Sequence, residues 1–316
     1  MKYLGKLTSQ LNAREFREIS DLFAAVFNKP VSTEQLQAKY RAPSRRDSYH
    51  GLMTDNDGRI AGALTVIPFD YSCFGKKVVF GCAVDLMVDK KYRNDITVMK
   101  KMHDAVTGLI GNGIDFLYAV PNRNSYLYFR KILGWNEIGS LNYYCLPLHA
   151  SKLSPKLKGL DIISRPAVAL LNGVQWPSTG AAFERPVAKT ISPDFLTYRY
   201  PAGQYAAIEK SGQCARYSVV KEDALTTAYL IDVWPLTAGW LSESVRHIWR
   251  EERRTIDLIL YAGTGVPRVH NLFKVPARFE PRALHLIGKV LNPESINDRI
   301  YQIKNWQFNL SDLDVR

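Results

Sequence analysis

The sequence predicts a mixed α/β chain in which helices flank mostly antiparallel sheets, with one order of elements used twice. Apolar residues at helical spacing alternate with short period-two runs closed by Asp-Gly, Gly-Lys and Gly-Asn-Gly. The order "CAVDLMV", helix, "GIDFLYAVP" returns as "AYLIDVWP", helix, "TIDLILYAG". The length, 316 residues, suits two cores of ordinary size.

The first helix is expected in "LNAREFREISDLFAAVFN", where Phe16, Ile19, Phe23 and Val26 fall on one face. A second follows in "STEQLQAKYRA", whose Ser32 and Glu34 supply helix-start chemistry, so the chain is read as opening with helices. Between Tyr49 and Val88, Asp57-Gly58 and Gly75-Lys76 separate alternating apolar runs and predict three antiparallel strands. From Asp95, the spacing of Val98, Met102, Val106 and Ile110 predicts a helix that stops at "GNG". "IDFLYAV" is a short apolar strand of the kind buried within a sheet. A helix from about Ser125 to Leu133 and a last strand, "NEIGSLNYYCLPL", complete a domain at 1–150.

Residues 151–190 carry Pro155, Pro166, Pro177 and Pro186 and read as a linker, with "AVALLNGV" as a short helix or part of the boundary. A second domain at 191–316 then holds a hairpin about Ser211-Gly212, the strand "TAYLIDVWP", a helix from Leu241 to Arg254 and the strand "TIDLILYAG". Asp85 and Asp115 lie 30 residues apart, and Asp232 and Asp257 lie 25 apart. Duplication of one domain explains this economically.

The formal charge is +12, yet 20 Lys and Arg face 14 Asp and Glu in residues 1–150, and 22 face 16 beyond, so each half carries +6. That evenness argues against a nucleic-acid arm or polybasic anchor and for an anionic small ligand, while leaving a peripheral membrane contact open. Cys73, Cys82, Cys145 and Cys214 show neither Cys-x-x-Cys spacing nor regular spacing with the six histidines, so no metal site or disulfide framework is expected. The start, MKYLGKLTSQLNAREF, lacks a signal-peptide apolar core and no run approaches a membrane span, so a cytoplasmic protein is expected. Oligomeric state is not encoded in any of these features.

Chemistry concentrates after two strands. In "DLMVDKKYRNDITVMKKM" a helix start follows a strand, where unpaired N–H groups and the positive helix end favour phosphate, with Arg93, Lys90 and Lys91 adding charge. In "AVPNRNSYLYFRKILGW" polar and aromatic residues crowd a strand exit. Together these stretches resemble the GNAT superfamily of acyl-CoA-dependent N-acyltransferases, over residues from about 10 to 148, and in a tandem form over most of the chain.

The resemblance implies acetyl-CoA or another acyl-CoA as co-substrate and no metal. Its arm would pair with the strand Asp85, Leu86, Met87, Val88, and its pyrophosphate would meet Arg93, Asn94, Asp95, Ile96 and Thr97. Asn122 and Ser125 match cofactor-contacting positions, and Leu133-Gly134-Trp135 matches the family's helix-end signature. Asp85 stands where a carboxylate base often sits, Tyr128 nearest the usual helix tyrosine acid, with Tyr126 as runner-up.

The resemblance departs at Arg93-Asn94-Asp95-Ile96-Thr97-Val98, where the family has glycines. β-Branched residues and Asp95 leave the phosphate contacts open to weakening, rearrangement or loss, and the second half has no such loop between Trp234 and Leu241. Arg199 and Tyr200 in "LTYRYPAGQY", with Asp312 and Asp314 near the carboxy terminus, are the residues expected to meet the acceptor. Tandem GNAT-like proteins of bacterial surface polysaccharide gene sets look similar there, which implies an amino sugar, free or carried on a nucleotide or lipid. The alternatives are a Fem-type transferase using aminoacyl-tRNA and a degenerate, non-catalytic binding module. Trp306, Phe308 and Leu310 are expected as the buried face of a final strand.

Overall fold

A computed structural model describes residues 1–43, 46–149, 161–173, 185–222 and 225–313. Contacts group the chain into two compact units. The first is Met1–Gly139, Val187–Arg199 and His285–Gln302; the second is Ser140–Pro186, Tyr200–Leu284 and Ile303–Arg316. Neither is one continuous stretch, in contrast to a division at 150 and 190.

The first unit's sheet runs β1 (Lys2–Leu7), β2 (Tyr49–Thr54), β3 (Ile60–Cys73), β4 (Lys76–Val88), β5 (Phe116–Ala119), β14 (His285–Val290), β6 (Asn136–Ser140). It is antiparallel from β1 to β4 and parallel between β4 and β5. The three strands expected between Tyr49 and Val88 are β2, β3 and β4. β8 (Val187–Lys189) pairs with the far end of β3, so part of the expected linker is sheet.

The chain opens with a strand, not with helices: β1 pairs with β2 from Lys2 opposite Thr54 to Leu7 opposite Tyr49. "KYLGKL" is short and, after the exposed Lys2, half-buried without alternation, too weakly patterned to announce itself. Helices α1 (Ala13–Phe27) and α2 (Thr33–Tyr40) follow, started by the Asn12 and Ser32 side chains, which accept from Glu15 N and Gln35 N. α3 (Ile96–Ile110) buries Val98, Met102, Val106 and Ile110, the residues its spacing nominates, against Met53, Leu64, Val66 and Leu117. α4 spans Arg123–Lys131, two residues earlier than expected, because Asn122 rather than a later residue caps it.

The strand expected over "NEIGSLNYYCLPL" is two. β6 belongs to the first sheet and β7 (Asn142–Pro147) to the second, with only Leu141 between them; Gly139, within β6, has a φ of 148° that disfavours a side chain. β14, a strand the pattern did not mark, joins β5 from far along the chain. These crossings make both units discontinuous.

The second unit's sheet runs β13 (Phe273–Lys274), β7, β12 (Leu258–Gly263), β11 (Leu225–Trp234), β10 (Gln213–Glu222), β9 (Ala206–Lys210). β9 and β10 form the hairpin expected at Ser211-Gly212. β11 and β12 are parallel and joined through α7 (Ala238–Glu252). α5 (Asp161–Gly173) covers "AVALLNG", and α6 (Pro193–Arg199) belongs to the first unit. The expected final strand is only Trp306–Gln307 (β15), although Trp306, Phe308 and Leu310 are all buried.

β4–α3–β5 and β11–α7–β12 match bond for bond. Asp115 N donates to Val79 O (2.8 Å), its Oδ2 accepts from Val79 N (3.0 Å), its carbonyl accepts from Leu291 N and Asn292 N, and its Oδ1 meets Asn292 Nδ2 (3.1 Å). Asp257 repeats the set with Thr226 (2.7 and 2.9 Å), Leu148 N, His149 N and His149 Nδ1 (3.0 Å). The first parallel pairs are Phe80 with Phe116 and Thr227 with Leu258, so Asp85 and Asp232 occupy the same position along their strands.

Two histidines are held neutral in the first core. His50 is fully buried between Thr8 Oγ1 (2.9 Å) and Thr65 Oγ1 (3.0 Å), and burial lowers its pKa to about 3. His103 Nε2 accepts from the Trp135 indole (3.2 Å), and burial, reinforced by Lys289, lowers its pKa to about 4. Because the folded values lie below the unfolded 6.5, the unfolded chain takes up protons first. Stability should therefore fall as pH drops from about 6.5 towards 4, and further towards 3 for His50, at about 1.4 kcal/mol per pH unit for each histidine. Urea midpoints at pH 7 and pH 5 check this; equal midpoints would refute it.

Among the described residues no helix is long and apolar enough to cross a membrane, and no three His, Cys, Asp or Glu side chains gather as a metal site. All four cysteines are free thiols.

Candidate functional site

β4 and β5 are paired only from Phe80–Phe116 to Cys82–Tyr118. β4 then continues to Val88 without β5 beside it, while its other side stays on β3, where Met87 faces Ala63 and Val88 faces Gly62. A gap thus opens between strand ends, edged by the backbone of Leu86, Met87 and Val88. At its mouth the ladder with β3 breaks register, and Asp85 takes a left-handed φ of 49°. The Asp85 carboxylate is 6% exposed and meets Lys39 Nζ at 2.7–2.8 Å and the Tyr40 hydroxyl at 2.8 Å. Both oxygens have strong donors before any substrate arrives.

Arg93, Asn94, Asp95, Ile96 and Thr97 are all exposed at the start of α3. Arg93 Nε donates to Val88 O (2.8 Å), tying the loop to the end of β4. Asp95 is the N-cap of α3: its Oδ1 accepts from Thr97 N (2.9 Å) and Thr97 Oγ1 (2.8 Å), bonds that hold the carboxyl below its ordinary range. The chain has put its own anion at the helix end where a phosphate would bind.

Asn122 and Ser125 lie together at the start of α4. Asn122 Oδ1 accepts from Asn124 N, Ser125 N and Ser125 Oγ, each at 3.0 Å. Tyr128 is buried and donates its hydroxyl to Ile96 O, linking α4 to the first residue of α3; burial raises its pKa. Tyr126 donates to Glu137 Oε2 (2.7 Å) and packs at 4.6 Å against His285, which itself approaches Glu137 Oε1 at 3.4 Å. Burial first, then Glu137, raises the Tyr126 pKa. With Leu127, Arg130, Lys131 and Trp135, Tyr126 lines an open cavity of about 420 Å³.

An acyl-CoA therefore meets a mixed fit. The unpaired edge of β4 suits an amide-bearing arm, whereas the loop at Asp95 offers neither glycines nor an uncapped helix end.

Of the residues expected to meet the acceptor, Tyr200 and Asp312 share one hydrogen-bonded cluster around Asp232 and Asn309 in the second unit. Arg199 is buried at the end of α6 in the first unit. Tyr200 belongs to the second unit and donates to Asp232 Oδ2 (2.8 Å). Asp312 is buried, its Oδ2 accepting from Asn309 N (2.8 Å); Asp314 lies outside the described residues. Asp232 also accepts from Asn309 Nδ2 (2.8 Å), Ser311 Oγ (3.0 Å) and Val233 N (3.0 Å).

The second unit has the same strand-end gap as the first, and its own chain fills it. β11 and β12 pair only as far as Leu230–Tyr261. Past that point Asn309 bridges to Gly263, Thr264 N donates to Phe308 O (2.8 Å), and Asn309 and Ser311 reach Asp232 across the gap.

The sequence reading did not mark Lys39, Tyr40, Glu137, His285, Asn309 or Ser311 as partners of these groups. One signal was present: "STEQLQAKYRA" aligns with "SPDFLTYRYPA", setting Ser32 over Ser192, Lys39 over Arg199 and Tyr40 over Tyr200. Both serines cap their helices.

Residues 8–137 match the family model of the acetyltransferase (GNAT) domain. Solved structures share the fold over nearly the whole chain. A probable N-acyltransferase of unknown function from Enterococcus faecalis V583 is 14% identical, covering 93% of this chain and 74% of its own, with a TM-score of 0.58. GCN5-related N-acetyltransferases from Anabaena variabilis and Kribbella flavida are 11% and 10% identical, each covering 92% of this chain and 73% and 71% of their own, both with a TM-score of 0.57. No curated protein matches the chain.

Proposed function

We propose that the first unit transfers an acetyl or other short acyl group from acyl-CoA to an amine. The parting of β4 from β5 beyond Cys82 and Tyr118 carries this reading, because it leaves a strand edge to which an amide-bearing arm can add as an extra strand. The match of residues 8–137 to the acetyltransferase domain supports it.

The amine nitrogen attacks the thioester carbonyl, the carbon–sulfur bond breaks, and a proton passes from nitrogen to the departing thiolate. Positioning supplies most of the acceleration and proton transfer the rest. Tyr128, kept protonated by burial, is the favoured acid. Tyr126, with Glu137 and His285 behind it, is the second candidate and has a route for the proton to solvent. An amino sugar, free or on a nucleotide or lipid carrier, is the acceptor class we favour; the even positive charge suits its phosphate groups.

Calorimetry with acetyl-CoA and the full chain should give one site per chain, because Asn309 and its neighbours fill the second gap. No binding would defeat the reading; two sites would defeat the assignment to the first unit. Asp95→Ser keeps a capping oxygen and removes the charge, so acetyl-CoA should bind roughly threefold more tightly, a gain that salt erases.

The self-capped helix favours a second reading, a non-catalytic binding module. Acyl-CoA binding without turnover on any amine tried would support it. Binding of tRNA with a steep salt dependence would instead favour an aminoacyl donor.

A further inference from the structure

We infer that Lys39 and Tyr40 are positioning residues that act through Asp85 to keep β4 bent away from β5, and so hold the acyl-CoA groove open; this rests on the acyl-CoA reading above. Asp85 has a left-handed backbone inside a strand, a conformation that residues with a Cβ rarely adopt and that surrounding contacts must impose. The contacts are strong ones. Lys39 Nζ and the Tyr40 hydroxyl lie 2.7–2.8 Å from the carboxylate, at sites 11% and 0% exposed.

Tyr40 is fixed in turn. Ser48 Oγ donates to its carbonyl (2.7 Å), and His50 packs edge-on at 4.9 Å. The Tyr198 hydroxyl donates to Lys39 O (2.7 Å). Pulling Asp85 towards α2 breaks the β3–β4 register between Ala63 and Thr65, and pairing of β4 with β5 ends immediately before, at Cys82.

The second unit supplies an independent comparison. Tyr200, the counterpart of Tyr40, donates to Asp232, the counterpart of Asp85, at the same 2.8 Å. There the β10–β11 register also shifts, between Arg216 and Tyr217, and β11 likewise outruns β12. That gap is filled by the chain itself, so the link persists where no acyl donor can enter, and there it accompanies the register shift without the left-handed backbone that Asp85 has. A link kept without a ligand sets strand geometry rather than taking a substrate's proton.

The test is Tyr40→Phe in the full chain, with and without Asp85→Gly. Tyr40→Phe removes the donor with little change in volume. Amide hydrogen exchange of Val84–Val88 in the ligand-free protein should speed up at least tenfold, and KM for acyl-CoA should rise while kcat and its pH profile stay put. Adding Asp85→Gly, whose backbone tolerates positive φ, should restore slow exchange. Unchanged exchange in Tyr40→Phe overturns the inference, as does a fall in kcat with a shifted acid limb, which would make Asp85 a base. If exchange responds as expected but no variant binds acyl-CoA, the lock stands and the acyl-CoA reading falls.

Discussion

Asp232→Ala is expected to cost the second unit about 3–5 kcal/mol, a large part of the ~5–15 kcal/mol typical of a folded domain. Asp232 is 5% exposed and accepts from Tyr200, Asn309, Ser311 and the Val233 amide. Alanine leaves three buried donors and the half-buried Tyr200 hydroxyl facing a hole, and each unmet donor costs more than its bond contributed. The damage should spread to the closing segment, because Asn309 and Ser311 are its side-chain ties across the gap. Asp232→Asn keeps one acceptor but turns an amide towards the same donors, so it should fall between. Urea denaturation read through near-ultraviolet dichroism checks the order; an Asp232→Ala midpoint equal to wild type would show that water replaces the carboxylate freely.

Gly51→Ala should be as damaging to the first unit. A Cβ at Gly51 would stand 2.1 Å from Met102 O and 3.2 Å from Val106 Cβ, and the first of these is helix backbone that cannot turn aside. α3 must lift off the sheet, which puts the cost at or above the ~3 kcal/mol upper range for overpacking. Gly5, paired with Gly51 across β1 and β2, meets Ala105 O at 2.7 Å in the same way, so the two glycines let the helix ride close. Lifting α3 also moves Asp95 and the Ile96 carbonyl that Tyr128 holds. The control is Gly108→Ala on the same helix, where nothing lies within 4 Å. It should stabilise by about 0.5–1 kcal/mol through helix propensity. Opposite signs for one substitution type would confirm packing as the cause, and equal effects would reject it.

The mixed α/β class, the helices capped by Ser32 and Asp95, and the buried face of α3 were legible because local periodicity and capping chemistry decide them. So was the recurrence of Asp85 and Asp115 as Asp232 and Asp257, which the two sheets repeat in register. β1 and β14 were not, because short strands draw their stability from partners distant in sequence. Trp135, read as part of a helix-end signature, proves to be a core residue that donates to His103.

For the site, sequence by itself determined which polar groups gather after β4 and β5 and that the phosphate loop lacks glycine. Tertiary structure alone decided what those groups are free to do. Asp85 and Asp232 read alike along the chain, yet one borders a gap between strands and the other a gap closed by Asn309. The physical reason is that a side chain's chemistry is local, whereas its hydrogen-bond partners come from segments as far apart as Tyr40 and Asp85 or Asp232 and Asn309, which only the folded chain brings together.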